Sequence, residues 1–214
     1  IGGYTPLTDL ALRDVSDGDL RRLRRLVHLE RLSLYDAPIT DDACDVIGTF
    51  RNLRYLSIGP AHAKVTAQIT DVGMKKLAAL DQLTTLFLHA PQITDQALES
   101  IAEMSSLRRI TLVDARIRGR GLHELSQLAG LDFLRLQNCP LEGDCLRQLA
   151  DCPALLTLDL LESSVTDEML PDLISIRPLR SVYLTETQVT PAGCRSLLRA
   201  RPELLVVGTE GRRV

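Results

Sequence analysis

Apolar residues along this chain alternate between two spacings, and the alternation itself repeats. In the stretch 83–106, Leu83, Leu86 and Leu88 follow the every-second-residue period of a half-buried strand, whereas Leu98, Ile101 and Met104 follow helical spacing. Between them Ile93 supplies one more core aliphatic, Thr94 stands where an N-cap is needed, and Asp95 lies beside the positive end of the helix. The unit is one strand followed by one helix.

The same unit recurs down the chain. Its first leucine falls at Leu7, Leu29, Leu53, Leu83, Leu107, Leu131, Leu155 and Leu179, with a truncated ninth unit at Leu204. The steps are 22, 24, 30, four of 24, and 25 residues, so an internal period overrides the two-domain division that 214 residues would allow. Residues 1–214 are predicted to form a single α/β solenoid domain. Each helix returns the chain so that the next strand lies parallel to the last, through a right-handed crossover. Helices are about 10 Å wide and strands are spaced at about 4.8 Å, so the stack must curve into a horseshoe with its sheet on the concave side.

Departures from the period are informative. The third unit inserts GPAHAKVTAQ, 59–68, six residues beyond the usual connection, where Gly59 and Pro60 end the strand and predict a surface loop. Long loops in compact repeats often carry function. Units five and six replace Thr-Asp with Arg118-Gly119 and Glu142-Gly143, which predicts helix starts weaker by about 1 kcal/mol each. Thr190-Pro191 suits a cap followed by a proline that needs no amide hydrogen. At the ends, Tyr4 is placed to cover the first unit, and the polar finish Gly208 to Arg213 would blunt the last strand edge.

The pattern LxxLxLxx(C/T/S)x(I/V)TDxGLxxLxx, seen in Leu179 to Leu197 and more loosely in Leu131 to Leu149, resembles the cysteine-containing class of leucine-rich repeats. That class is known from F-box substrate receptors and, with the ITDxGL wording seen at Ile69 to Met74, from bacterial proteins of unassigned role. Its variable slot holds Ala37, Pro91, Ala115, Cys139, Ser163 and Thr187, and no F-box helix bundle precedes Leu7. The resemblance implies a protein-binding concave face and no catalytic residue.

Composition narrows the function classes. With 25 Lys plus Arg against 28 Asp plus Glu, the formal charge of -3 gives no overall field to collect phosphates, so nucleic acid is not expected. The run Arg21-Arg22-Leu23-Arg24-Arg25 reads as the solvated side of a helix whose Leu20, Leu23 and Leu26 face the core. No apolar run approaches the roughly 20 residues of a membrane span. The chain opens at Ile1 rather than Met, which points to a fragment or a processed chain. Cys44, Cys139, Cys145, Cys152 and Cys194 make no CxxC pair, and Cys44, Cys152 and Cys194 fall in slots that other units fill with leucine. They are expected as buried, reduced thiols, which favours a reducing, cytoplasmic setting.

Catalytic and metal motifs do not emerge. His28, His62, His89 and His123 lie in different units without HExxH spacing, and Gly119-Arg120-Gly121 lacks the further glycine of a dinucleotide turn. No enzyme activity, metal or cofactor is expected. The variable strand positions are richer, because their side chains point away from the core into the concave face. Three columns run along the stack: Asp9, Arg31, Tyr55, Thr85, Arg109, Phe133, Thr157, Ser181; then Ala11, Ser33, Ser57, Phe87, Thr111, Arg135, Asp159, Tyr183; then Arg13, Tyr35, Gly59, His89, Val113, Gln137, Leu161, Thr185. These 24 positions hold five of the seven aromatics, where chance would place about one.

Aromatics interleaved with arginine are the residue types that dominate binding hot spots. The candidate partner-binding residues are Arg31, Tyr35, Tyr55, Phe87, His89, Arg109, Phe133, Arg135, Asp159 and Tyr183, with Tyr55, Phe87, His89, Arg109, Phe133 and Arg135 as the centre. Asp14, Asp36, Asp114, Glu162 and Glu186 predict an acidic rim suited to a basic partner edge. The expected function is a monomeric, non-enzymatic module binding a protein on its concave face. Two alternatives stand beside it: a small-molecule or peptide receptor whose pocket the 59–68 loop closes, and a structural spacer within a larger chain.

Overall fold

A computed structural model describes residues 6–61 and 66–208. Nine strands, β1 (Asp9–Arg13), β2 (Arg31–Tyr35), β3 (Tyr55–Gly59), β4 (Thr85–His89), β5 (Arg109–Val113), β6 (Phe133–Gln137), β7 (Thr157–Asp159), β8 (Ser181–Tyr183) and β9 (Leu205–Val207), form one sheet in chain order. Every pair is parallel. The sheet is unclosed, and the return segments lie along its other side, as a solenoid requires. Tyr4, the 62–65 part of the inserted loop and residues 209–213 of the predicted polar finish fall outside the described residues.

Register follows the apolar period. Leu10, Leu32, Leu56, Leu86, Ile110, Leu134, Leu158, Val182 and Val206 stand opposite one another from strand to strand. From Leu32 onward each is at most 1% exposed, a burial that stabilises by about 1.5–3 kcal/mol per side chain. A one-residue slip would turn this whole row out of the core, so the register is strongly specified. Leu10 and Leu12 are only partly buried, because β1 is an edge strand of the sheet among the described residues.

The outer side is less uniform. Helices α1 (Asp17–Arg22), α2 (Asp41–Ile47), α3 (Asp71–Leu77) and α4 (Ala97–Ala102) give way to 3-10 turns at Leu122–Gln127, Cys145–Leu149 and Asp167–Met169. The last of these runs into α5 (Leu170–Leu173), and α6 (Pro191–Ala200) follows. Loss of Thr-Asp in units five and six therefore does more than weaken a cap: the segment winds more tightly, and its first residues have no side-chain cap.

The Thr-Asp pair works between units. Thr40 donates from its amide to Asp17 Oδ1 at 2.9 Å and from its hydroxyl to Asp17 Oδ2 at 2.8 Å, while Oγ1 accepts from the Asp42 amide at 3.2 Å. Thr70 does the same with Asp41, Thr94 with Asp71, and Thr190 with Asp167. Each threonine thus caps its own unit and is stapled to the aspartate of the unit before. Asp95, expected only beside a helix end, accepts from the amides of Arg118 and Gly119. Gly119 and Gly143 carry no carboxylate to continue the staple, so Thr166 makes no such bond despite being a threonine. At the first unit Ser16 turns both donors onto its own Asp19, at 3.1 Å from the amide and 2.7 Å from the hydroxyl.

The staple also explains the glycine of the ITDxGL wording. A Cβ on Gly73 would lie 2.3 Å from Asp41 Oδ1, and one on Gly193 would lie 2.1 Å from Asp167 Oδ1. The preceding carboxylate occupies that space.

Candidate functional site

The parallel register delivers the predicted columns to one face. Arg31 stands opposite Tyr55, Tyr55 opposite Thr85, Thr85 opposite Arg109, and Arg109 opposite Phe133. In the next column Ser57, Phe87, Thr111, Arg135, Asp159 and Tyr183 follow in order. No described element packs across this face, since strands contact strands and return segments contact return segments on the far side.

Two groups of polar and aromatic side chains result. Toward the amino end, the Arg31 guanidinium lies 4.3 Å from the Tyr55 ring centre and its Nε is 3.2 Å from Asp9 Oδ1. Tyr35 is half-buried at the end of β2. At the centre, Phe133 is flanked by Arg109 and Arg135, each guanidinium 5.8 Å from the ring centre. Such contacts contribute about 0.5–1 kcal/mol when exposed. Arg135 also donates from Nε and Nη2 to Asp159 Oδ2, at 2.7 and 2.6 Å. Tyr55, Phe87, Phe133 and Tyr183 are half-buried rather than free, because each rests on its neighbours in the sheet.

His89 and Asp159 occupy their predicted places but not as exposed contacts. Asp159 is 5% exposed, and besides Arg135 it accepts from the Leu161 amide at 3.1 Å, so it positions Arg135. His89 is 9% exposed, with Nε2 2.5 Å from Asp114 Oδ2, and its buried Nδ1 has no hydrogen-bond partner. Asp114 Oδ1 in turn accepts from Asn138 Nδ2 at 2.7 Å. Gly59 matters for space. A Cβ there would come 2.8 Å from Phe87 Cε1, so the bare backbone lets the Phe87 ring lie across β3.

The acidic rim needs correction. Asp14, Asp36, Asp114 and Asn138, each directly after its strand, and Glu162 and Glu186, three residues past the last residue of β7 and of β8, adopt φ between 51° and 59°. Asp and Asn tolerate this left-handed conformation better than other non-glycine residues, so the acidic bias partly reflects the backbone turn. Asp36 is 2% exposed, accepts from the Ala61 amide at 2.9 Å and lies 3.8 Å from Arg13, which ties the start of the inserted loop to β2. With Asp114 engaged by His89 and Asn138, the exposed acids of the rim are Asp14, Glu162 and Glu186.

An open groove of about 660 Å³ lies on the flank, where strands lead into return segments, and is lined by Lys75, Thr94, Glu99, Arg116, Arg120 and His123 among others. It is not lined by concave columns. All five cysteines are buried and free. Burial pushes the Cys44 and Cys139 thiols up to about 12 and those of Cys145 and Cys152 up to about 11, and raises Cys194 as well. None is poised as a thiolate nucleophile near neutral pH. Among the described residues no cluster of three or more His, Cys, Asp or Glu could hold a metal ion, and no helix is long and apolar enough to cross a membrane.

No protein-family model matches the chain, and no curated protein matches it. Solved structures do. A leucine-rich repeat protein of Leptospira interrogans superposes with a TM-score of 0.68 at 19% identity over 94% of this chain and 48% of its own. An internalin of Listeria monocytogenes, inlF, superposes with a TM-score of 0.63 at 18% identity, over 94% of this chain and 60% of its own. Internalin C2 from the same organism gives 0.61 at 24%, over 94% and 76%. The chain thus spans about half of the first protein and three fifths of the second. At these identities the likeness carries the fold.

Proposed function

We propose, from the premise that this chain folds as a leucine-rich repeat protein, that it is a non-enzymatic recognition module binding a protein partner on its concave face. One observation carries the reading. Tyr55, Phe87, Arg109, Phe133 and Arg135 share a sheet face that no described element covers, held in register by a buried core. Half-buried aromatics beside arginines keep contact area at low entropic cost, the composition of interface centres. A pocket receptor would draw support from a cavity on the concave face, but the groove described above lies on the flank. A spacer would not need the concentration of aromatics.

The test is capture of a partner by the immobilised protein, compared across two double variants. Phe87→Ser with Phe133→Ser is expected to weaken capture by about thirtyfold or more, the usual effect of truncating an anchor, with the circular dichroism spectrum retained. Arg135 is avoided as a probe because it neutralises the buried Asp159. Arg25→Glu with Arg199→Glu is expected to leave capture intact, since both side chains are exposed, neither has an ion pair among the described residues, and neither lines the flanking groove. Lys76 would be a poor control, because its Nζ donates to the Asp41 carbonyl at 2.9 Å and to Asp45 at 2.8 Å. Loss of capture in the outer pair and not in the inner pair would overturn the assignment.

A further inference from the structure

Resting on that concave-face reading, we infer that the partner is an acidic protein segment, which sets a carboxylate against Arg109 and an apolar side chain beside it on Phe133. Two observations carry this. The first is the charge balance of the concave strands. Arg13, Arg31, Arg109 and Arg135 stand there against Asp9 and Asp159, in a chain whose formal charge is -3. Arg31 is paired with Asp9, Arg135 with Asp159, and Arg13 with Asp36 on the rim. Arg109 alone among these four has no ion pair within the described residues, and its register neighbours, Thr85 and Phe133, are uncharged. Its side chain is exposed, with the guanidinium carbon 5.8 Å from the centre of the Phe133 ring. A planar guanidinium held against a ring, with its donors open, is suited to a bidentate carboxylate.

The second observation is where the remaining positive charge lies. Residues 107–130, the unit that contains Arg109, carry five arginines against Asp114 and Glu124. Arg108, Arg109, Arg116, Arg118 and Arg120 are all exposed. Arg116, Arg118 and Arg120 line the flanking groove together with Lys75 of the α3 unit and the carboxylates Asp95, Glu99 and Glu124. Of these arginines only Arg118 is ion-paired among the described residues, with Glu142. A basic band one unit wide therefore runs from the concave centre over the flank, across a chain that is acidic as a whole. On the concave strands a basic segment would meet Arg109 without an ion pair and Asp9 and Asp159 already engaged, which is unfavourable for both charge and desolvation.

The experiment is selection of random twelve-residue peptides on the immobilised protein, followed by binding measurements on the enriched sequences. The expected result is enrichment of Asp or Glu next to an apolar residue. Arg109→Gln should then weaken those peptides about tenfold or more, Arg116→Gln with Arg120→Gln by a smaller factor, and 0.5 M salt should weaken them as screening requires. All variants are checked by melting temperature. Enrichment of Lys- or Arg-rich peptides overturns the inference. Peptides insensitive to Arg109 but lost in Phe87→Ser with Phe133→Ser also overturn it, and leave the concave-face function standing. Recovery of no peptide that depends on either variant overturns both. A random-sequence DNA oligonucleotide bound more tightly than any selected peptide overturns the protein-segment assignment in favour of a nucleic acid.

Discussion

The inner and outer sides of this solenoid obey different rules. Along the inner side one register runs through nine strands, from Asp9 opposite Arg31 to Tyr183 opposite Val207. Along the outer side the return changes from the seven-residue helices α2 and α3 to 3-10 turns at Leu122–Gln127 and Cys145–Leu149, then back to the ten-residue α6. Yet β5 and β6, which precede the two poorest returns, keep five residues each and pair with each other along their whole length. Buried leucines and the main-chain ladder hold the sheet, whereas Thr-Asp staples decide only how the return is wound. The side chains of the inner surface can therefore vary almost independently of how the outer return is wound.

Core loss should have the largest effect and be felt by both sides. Leu134→Ala, fully buried in β6, is expected to cost about 2–5 kcal/mol in denaturant unfolding, because neighbouring units share its cavity. Val207→Ala, on the terminal strand and only half-buried, should cost markedly less. If the terminal variant melted first, the ends and not the centre would hold the solenoid together.

Removing one staple comes next in size and should separate the two sides. Asp71→Ala deprives Thr94 of bonds at 2.8 and 2.6 Å and is expected to cost about 1–2 kcal/mol, with concave binding retained. Glu142→Ala, in an unstapled unit, should change stability by less than about 0.5 kcal/mol. Equal costs at the two positions would mean that the staple contributes nothing beyond an ordinary surface contact.

The smallest expected effect is a change of slope with pH. Burial holds the Cys44 and Cys139 thiols at about 12, above their ordinary 9.0. Below pH 9 both states keep these protons and the stability they contribute is fully present. As pH rises from 9 toward 12 the unfolded chain releases them first, so stability falls. Cys44→Ala with Cys139→Ala should flatten that alkaline decline, measured by urea midpoints against pH. Unfolding without reductant should expose five titratable thiols, and an unchanged alkaline slope would show that other groups govern it.

Much of this molecule was legible from residue spacing. A 24-residue period with leucines at strand and helix spacing determines a parallel solenoid, because each unit can bury its apolar face only against the next. Strand alternation within that period assigns Tyr55, Phe87, Arg109 and Phe133 to one face, and the period itself puts Cys44, Cys152 and Cys194 in slots that other units fill with core leucines. What each polar side chain touches was decided only in three dimensions. Thr94 and Asp71 lie 23 residues apart and meet because the stack brings equivalent slots within hydrogen-bond reach. Asp36, Asp114 and Asp159 look like surface acids in the sequence, yet the first anchors Ala61, the second holds His89 and the third neutralises Arg135. Apolar periodicity is a property of one chain segment and can be read along it. A carboxylate's partner depends on the distance between segments, and that distance exists only after the stack has formed.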